Sequence, residues 1–213
     1  MNWAVLADFD GTIVKDDLAE LVLRKFAEPG WKRYNVLLAK GKINVEECVR
    51  EEYALLRAET RREVTEYARG LGTFRPGFED FLRGCKSRGI DFAIVSAGLD
   101  FCIRDVFRKA ELRAPRLYCP RSHFQPGKGI RLTFAKNRFP EARDFKEDVV
   151  MTYKQRGLHV AYVGDGAGDI HAAESADAVF AVRSSVLDKV CRARKIRHLA
   201  IESFVPISRF LIA

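Results

Sequence analysis

The chain has 213 residues, 47% of them apolar and 31% charged, with a formal charge of +8 at pH 7. That length supports one full core with a small accessory domain and falls short of two large domains. No apolar run approaches the roughly 20 residues a membrane helix needs. No basic segment followed by a long apolar one precedes position 8, so a cytoplasmic protein with no membrane partner is expected. The cysteines, Cys48, Cys85, Cys102, Cys119 and Cys191, are odd in number and include no C-x-x-C. That argues against a disulfide framework or a zinc site, and they read as small buried hydrophobes.

Trp3–Ala7 is a continuous apolar run and reads as a strand buried on both faces. Asp8-Phe9-Asp10-Gly11-Thr12 follows directly. Two carboxylates two residues apart at a strand end repel each other, and burial raises the penalty. A divalent cation removes that problem. One carboxylate can then serve as an oriented nucleophile while its neighbour stays protonable. Residues 16–72 contain no convincing strand. They carry two helix starts, Asn44 with Glu47 and Thr60 with Glu63, each with capping-box spacing. Val45, Cys48, Val49, Tyr53 and Leu56 then share one helix face, and Gly70 and Gly72 end the last helix. An all-helical insert of this kind sits above a catalytic edge and can act as a lid.

Phe78, Phe81, Leu82 and Cys85 repeat at helical spacing up to Gly89. The run 92–95 reads as a second buried strand. Val95-Ser96-Ala97-Gly98 then places a hydroxyl and free backbone N–H groups where they can hold a phosphoryl oxygen. The stretch 113–146 holds nine Lys or Arg against Glu141 and Asp144. A basic surface of this kind attracts anions, from small phosphate esters to nucleic acid. No helix-turn-helix, RNP-type or zinc-finger pattern accompanies it, so nucleic acid is not the expected partner. Within that stretch, Gly127-Lys128-Gly129 followed by 130–134 suggests a turn and a short strand.

Lys146 opens a helix marked by Val149, Val150 and Tyr153 and stopped at Gly157. The run 160–163 is a further buried strand, and Gly164-Asp165-Gly166-Ala167-Gly168-Asp169 follows it. Its glycines allow close backbone approach, and its two aspartates supply the hard oxygen ligands that magnesium prefers. Asp169 occupies the last glycine position of a dinucleotide fingerprint, which argues against that reading. The run 179–182 and Leu199–Ile201 complete the strands. Buried strands alternating with helices predict an α/β fold: a Rossmann-like parallel sheet with helices on both faces. A small all-helical cap is inserted after the first strand. The expected division is 1–14 and 76–213 for the catalytic core and 15–75 for the cap.

These motifs, in this order, resemble the haloacid dehalogenase superfamily of phosphohydrolases, over nearly the whole chain. The helical insert is similar to the cap of its phosphoserine-phosphatase-like branch. The resemblance implies that Asp8 attacks phosphorus and becomes an aspartyl-phosphate, while Asp10 protonates the leaving alcohol and later activates water. It implies that Asp8, the Asp10 carbonyl and Asp165 bind Mg2+ with Asp169 in support. Ser96, the Ala97 amide and Lys146 would hold the phosphoryl oxygens. Dehalogenases of the superfamily lack an acid two residues after the nucleophile, and its transport ATPases carry threonine there. Asp10 therefore points to ester hydrolysis.

Within the branch, Phe26-Ala27-Glu28-Pro29-Gly30-Trp31, Ser96-Ala97-Gly98-Leu99-Asp100-Phe101 and Leu117-Tyr118-Cys119 most resemble the methionine-salvage phosphatases that act on 2-hydroxy-3-keto-5-methylthiopentenyl-1-phosphate. Asp17 stands where phosphoserine phosphatases carry an amine-binding glutamate, and would contact substrate. Arg50 and Arg57 are candidates, without a motif, for the arginine that would hold a serine carboxylate. The cysteine-rich flank of the salvage enzymes is missing near Lys146. A small phosphorylated metabolite is thus the expected partner. Phosphoserine is the alternative substrate, and a basic nucleic-acid-binding protein on the same fold is the alternative from another class.

Overall fold

The computed structural model describes residues 2–58, 60–125 and 128–212. Six strands form one sheet: β1 (Trp3–Ala7), β2 (Asp91–Val95), β3 (Arg116–Tyr118), β6 (His159–Gly164), β7 (Ala178–Val182) and β8 (Leu199–Ile201). Their order is β3-β2-β1-β6-β7-β8, and every pairing is parallel. Continuous apolar strands are needed because both faces are covered. On one face Val5, Ala7, Ile94 and Val163 pack against α5 (Phe78–Ser87), α6 (Asp100–Lys109) and α10 (Val205–Ile212). On the other, Leu6, Val95 and Tyr162 pack against α7 (Phe145–Gln155), α8 (Ile170–Ser175) and α9 (Val186–Arg194). Neighbouring residues of one strand thus serve opposite cores, as the two-residue period requires.

Between β1 and α5 the chain forms α1 (Leu18–Phe26), α2 (Lys32–Ala39), α3 (Val45–Ala54) and α4 (Arg61–Leu71). Three of these start on side-chain caps that satisfy otherwise orphaned N–H groups. Asp17 accepts from the Glu20 amide, and Thr60 accepts from the Glu63 amide. Asn44 and Glu47 cap each other reciprocally. Gly72 ends α4, whereas Gly70 lies inside its last turn. The helices bury Val22, Leu23, Trp31, Tyr53, Leu56 and Val64 in a third cluster, which Leu99, Phe101 and Cys102 at the start of α6 share.

A hairpin of β4 (Arg121–Gln125) and β5 (Gly129–Thr133) joins this cluster through Ile130 and Leu132. Chain order assigns that segment to the core, but its apolar side chains pack with the helices of the insert. The strand expected over 130–134 begins one residue earlier, at Gly129, and Gly127 of the expected turn lies outside the described residues. Gly129 has φ +85°. A Cβ there would collide with the backbone carbonyl of Ala54 at the end of α3, so only glycine fits.

All five cysteines are free; four are buried and Cys119 is half-buried. Among the described residues no helix is long and apolar enough to cross a membrane.

Candidate active site

The chain leaves β1 to build one half of the sheet and returns at β6 to build the other, so β1 and β6 flank the topological switch point. Ligands bind outside the carboxyl ends of strands at such a point. Asp8 follows β1, Ser96 follows β2 and Asp165 follows β6. The Asp8 amide donates to the Val163 carbonyl at 2.9 Å, which extends the β1–β6 ladder by one residue and fixes the Asp8 backbone. The chain then turns sharply through Gly11, at φ +68°. A Cβ on Gly11 would stand 2.5 Å from Asp165 Oδ2, so glycine permits both the turn and the approach of the second acidic loop. Thr12 Oγ1 donates to Asp165 Oδ1 at 2.6 Å. Arg75 donates to the Thr12 carbonyl at 2.7 Å and to the Gly11 carbonyl, clamping the turn from behind.

Lys146 is the second residue of α7, and Asp144 caps that helix by accepting from the Glu147 amide. Its ammonium reaches Asp8 Oδ1 at 2.8 Å and Asp169 Oδ1 at 2.7 Å, with all three groups buried. Burial works against the ammonium charge, but Asp169 and Asp8 outweigh it and raise the pKa. Asp169 accepts three further hydrogen bonds. The Tyr162 hydroxyl donates to Oδ1 at 2.7 Å, and the amides of Asp165 and Gly166 donate to Oδ2 at 3.0 and 2.8 Å. Four donors fill this carboxylate. Gly164 makes the arrangement feasible, since a Cβ there would stand 2.6 Å from the Asp169 carboxyl carbon.

The remaining polar groups complete the floor of the site. Asp10 Oδ1 accepts from the Leu18 amide at the start of α1, 3.1 Å away. Its Oδ2 lies beside Gly98, where a Cβ would come within 2.6 Å. Ser96 is buried and accepts from the Gly98 amide at 3.0 Å. Asp17 pairs with the Glu20 amide at 2.8 Å. All eight residues singled out from the sequence, Ala97 included, line one open cleft of about 820 Å³.

Electrostatics make this cluster demanding. Burial pushes the Asp8 carboxyl up to about 7 despite the lowering effect of Lys146. Burial, then Asp8 and Asp169, push Asp165 up to about 8. Asp10 is raised well above the usual carboxylate range by burial, with Asp17, Asp8 and Asp165 adding to it. One lysine does not balance so many acids. Carboxylate oxygens of Asp8, Asp165 and Asp169 lie within 4.8 Å of one another. An all-oxygen set of this size, short of positive charge, fits magnesium. Because Asp169 is filled by its four donors, Asp8 and Asp165 are the side chains left to ligate.

Three contributors carry no signal in the sequence. Tyr162 sits in an apolar strand, where only its hydroxyl distinguishes it. Arg75 lies 63 residues from its Thr12 partner. Thr12 adjoins the acidic motif, yet its hydrogen bond crosses to a loop 153 residues away. The basic stretch 113–146 is divided by the fold. Lys146 enters the site, Arg143 is held by Glu147 and Glu174, and the other seven stay on the surface.

Comparison with known proteins places this geometry. The pattern of haloacid dehalogenase-like hydrolases matches residues 5–174. A 2-hydroxy-3-keto-5-methylthiopentenyl-1-phosphate phosphatase of Brevibacillus brevis is 30% identical over 97% of this chain and 94% of its own length. An enzyme of the same name from an Exiguobacterium species is 27% identical over 99% of this chain and 98% of its own. Among solved structures, a substrate-bound phosphoserine phosphatase superposes with a TM-score of 0.74 at 21% identity, covering 99% of this chain and 98% of that one. At that identity the last likeness speaks for the fold.

Proposed function

This chain belongs to the haloacid dehalogenase-like hydrolase family and is one of its phosphatases, and from that premise we propose a magnesium-dependent phosphomonoesterase that works through an aspartyl-phosphate on Asp8. The observation that carries the reading is the division of labour between Asp8 and Asp10. Asp8 is fixed by Lys146 and by the β-ladder, as a nucleophile must be. Asp10, two residues on, faces the same cleft with its Oδ1 held by the Leu18 amide, and burial followed by Asp17, Asp8 and Asp165 raises its pKa, the direction a proton donor needs.

The steps follow from those two roles. An Asp8 carboxylate oxygen attacks phosphorus in line, and the bond to the leaving oxygen breaks. Asp10 gives its proton to that oxygen, so the alcohol departs neutral. As a carboxylate, Asp10 then takes a proton from water, whose oxygen attacks the same phosphorus and releases phosphate and the Asp8 carboxylate. Lys146, Ser96 and the Ala97 amide face the phosphoryl oxygens as their charge develops. Asp8, Asp165 and the Asp10 carbonyl would hold the magnesium. The bound ion would neutralise phosphoryl charge and hold the reactants in line.

The methionine-salvage ester 2-hydroxy-3-keto-5-methylthiopentenyl-1-phosphate is the substrate best supported. The relatives of this chain carry that activity in their names over nearly its full length. The cap side of the cleft presents Leu23, Trp31, Val45 and Val49, an apolar wall suited to a methylthio tail. Phosphoserine is less well served. Arg57 is bound to Glu28 and to the carbonyls of Ala54 and Leu56, and Arg50 stacks on Phe134.

Release of phosphate from p-nitrophenyl phosphate tests the mechanism. Activity should require magnesium, vanish with EDTA, and fall by about 10⁴-fold or more in Asp8→Asn. Turnover that survives Asp8→Asn would refute the aspartyl-phosphate.

A further inference from the structure

A second groove, of about 780 Å³, runs between α4 and α6 and shares no lining residue with the catalytic cleft. Arg61, Arg62, Arg69, Arg104 and Arg108 line it, against only Glu66 and Asp105. Five guanidiniums facing two carboxylates leave three positive charges in one concavity. Three of the five are fixed by those acids. Arg69 donates to both oxygens of Asp105 at 2.5 and 3.1 Å, and Arg108 donates to the same buried carboxylate. Arg62 pairs with Glu66 at 2.6 Å. Among the described residues, the other two have no carboxylate partner. Arg61 reaches across from α4 and lies over the ring of Phe101, 4.5 Å from its centroid. Arg104, on the next turn of α6, is exposed. Phe101, Arg104 and Arg108 follow one another at i, i+3 and i+7, so they share one helix face. The guanidinium resting on Phe101 and the two that follow it therefore form a row along the groove, spaced by about 5–6 Å. Its walls are joined, because Lys109 Nζ donates to the Arg69 carbonyl at 2.9 Å.

We propose that this groove is a second binding site, separate from the catalytic cleft, for a small anion that carries two or more linked phosphates. The inference does not depend on the reading of the catalytic cleft. Three features select the ligand. A guanidinium presents a planar fork of donors that matches phosphate oxygens two at a time, and Arg61 and Arg104 have that fork free of any carboxylate. A row of such forks fits negative charge distributed along a chain, whereas a single phosphate engages one of them. The arginines are also held in place beforehand, by Asp105, Glu66 and the Phe101 ring, so less side-chain freedom is lost when an anion arrives. The concavity has the size of a pocket for a small molecule. A bound anion would relieve the repulsion among the cations and tie α4 of the cap to α6 of the core.

Isothermal titration calorimetry of the full chain in EDTA, with inorganic phosphate, AMP, pyrophosphate and ADP, tests the site. Pyrophosphate and ADP should bind about tenfold or more tighter than inorganic phosphate and AMP. Equal affinity for pyrophosphate and ADP would assign the recognition to the phosphates alone, and tighter ADP would assign it to a nucleotide; either supports the site. Arg61→Gln and Arg104→Gln should each weaken pyrophosphate by about tenfold. Arg88→Gln removes the same charge from the exposed end of α5, away from the groove, and should leave the affinity within about twofold of wild type. Both groove variants change exposed side chains and should hydrolyse p-nitrophenyl phosphate at the wild-type rate. Absence of binding would overturn the inference, as would AMP or phosphate binding as tightly as ADP. An Arg88→Gln as damaging as the groove variants would reduce the effect to net charge and overturn it too. Binding that ignores both Arg61→Gln and Arg104→Gln would place the anion in the catalytic cleft, and loss of p-nitrophenyl phosphate turnover in both would make the arginines part of that cleft; each result sinks the separate site. A single-stranded RNA oligomer that binds far more tightly than ADP through the same arginines would replace the small anion by nucleic acid.

Discussion

The two ends of the cleft are built on opposite principles. At the end formed by the sheet, Lys146, Asp169, Tyr162 and the loop amides satisfy one another, and Asp169 alone accepts four hydrogen bonds. At the end formed by the cap, among the described residues, the Tyr53 hydroxyl has no hydrogen-bond partner and Glu52 is buried without a counter-charge. Phosphoryl transfer needs donors and charges that are in place before the substrate arrives, so the first end is complete in itself. The second end is held by apolar packing, with Asn35 and Cys48 as the hydrogen-bond partners of Glu52.

The sharpest way to break that contrast is Lys146→Met. It leaves the Asp8 and Asp169 carboxylates buried without their shared cation, and should lower unfolding stability by about 3–5 kcal/mol in a urea melt. It should also cost phosphatase activity about 10³-fold. A variant as stable as wild type would show that the sheet end is not self-supporting. Magnesium probes the same end from outside. At 100 times its dissociation constant it should add about 2.7 kcal/mol of stability, read as a rise in Tm, and Asp165→Asn should lose most of that gain.

The cap end should respond in the opposite direction. Glu52→Leu replaces a buried acid by an apolar side chain and should stabilise the fold by about 1 kcal/mol. The pH dependence of that gain follows from the raised pKa of Glu52. The unfolded chain releases the proton near its usual value and the folded chain holds it up to about 8, so the contribution of Glu52 to stability is present at low pH and lost as pH climbs through that window. The advantage of Glu52→Leu should therefore grow between about pH 5 and about pH 8. Equal gains at both would mean that Glu52 is already ionised when folded. Tyr53→Phe should be the mildest change, within about 0.5 kcal/mol of wild type by thermal melting, because no hydrogen bond is lost.

The same contrast governs what the sequence makes readable. Asp8, Asp10, Asp165 and Asp169 stand out because acids directly after buried apolar runs have few structural uses. The central strands are legible for the same reason, being apolar at every position. The cap end is opaque. Glu52 follows Arg50 and Glu51 in a charged run that reads as a solvated helix face, and its burial comes from tertiary packing in which Asn35 of α2 bonds it. Tyr53 belongs to the apolar stripe with Cys48 and Leu56, where its ring is visible and its unpaired hydroxyl is not. Strand β3 is too short to carry a pattern. β4, Arg121-Ser122-His123-Phe124-Gln125, alternates exposed and half-buried residues with little apolar content. Helices α6, α9 and α10 are not legible in the sequence either. Their apolar faces gain meaning only once the sheet they cover is in place.

Gly129 gives the cap a property that its chain order conceals. It lies far along the chain from the end of α3, yet as the first residue of β5 it rests against the carbonyl that closes that helix. Residues 15–75 are therefore not a detachable module. Grafted onto another core, they would arrive with a hole where Ile130 and Leu132 belong, and the donor core would keep a hairpin with its oily side in water. Swapping specificity between relatives of this chain calls for transplanting both segments together.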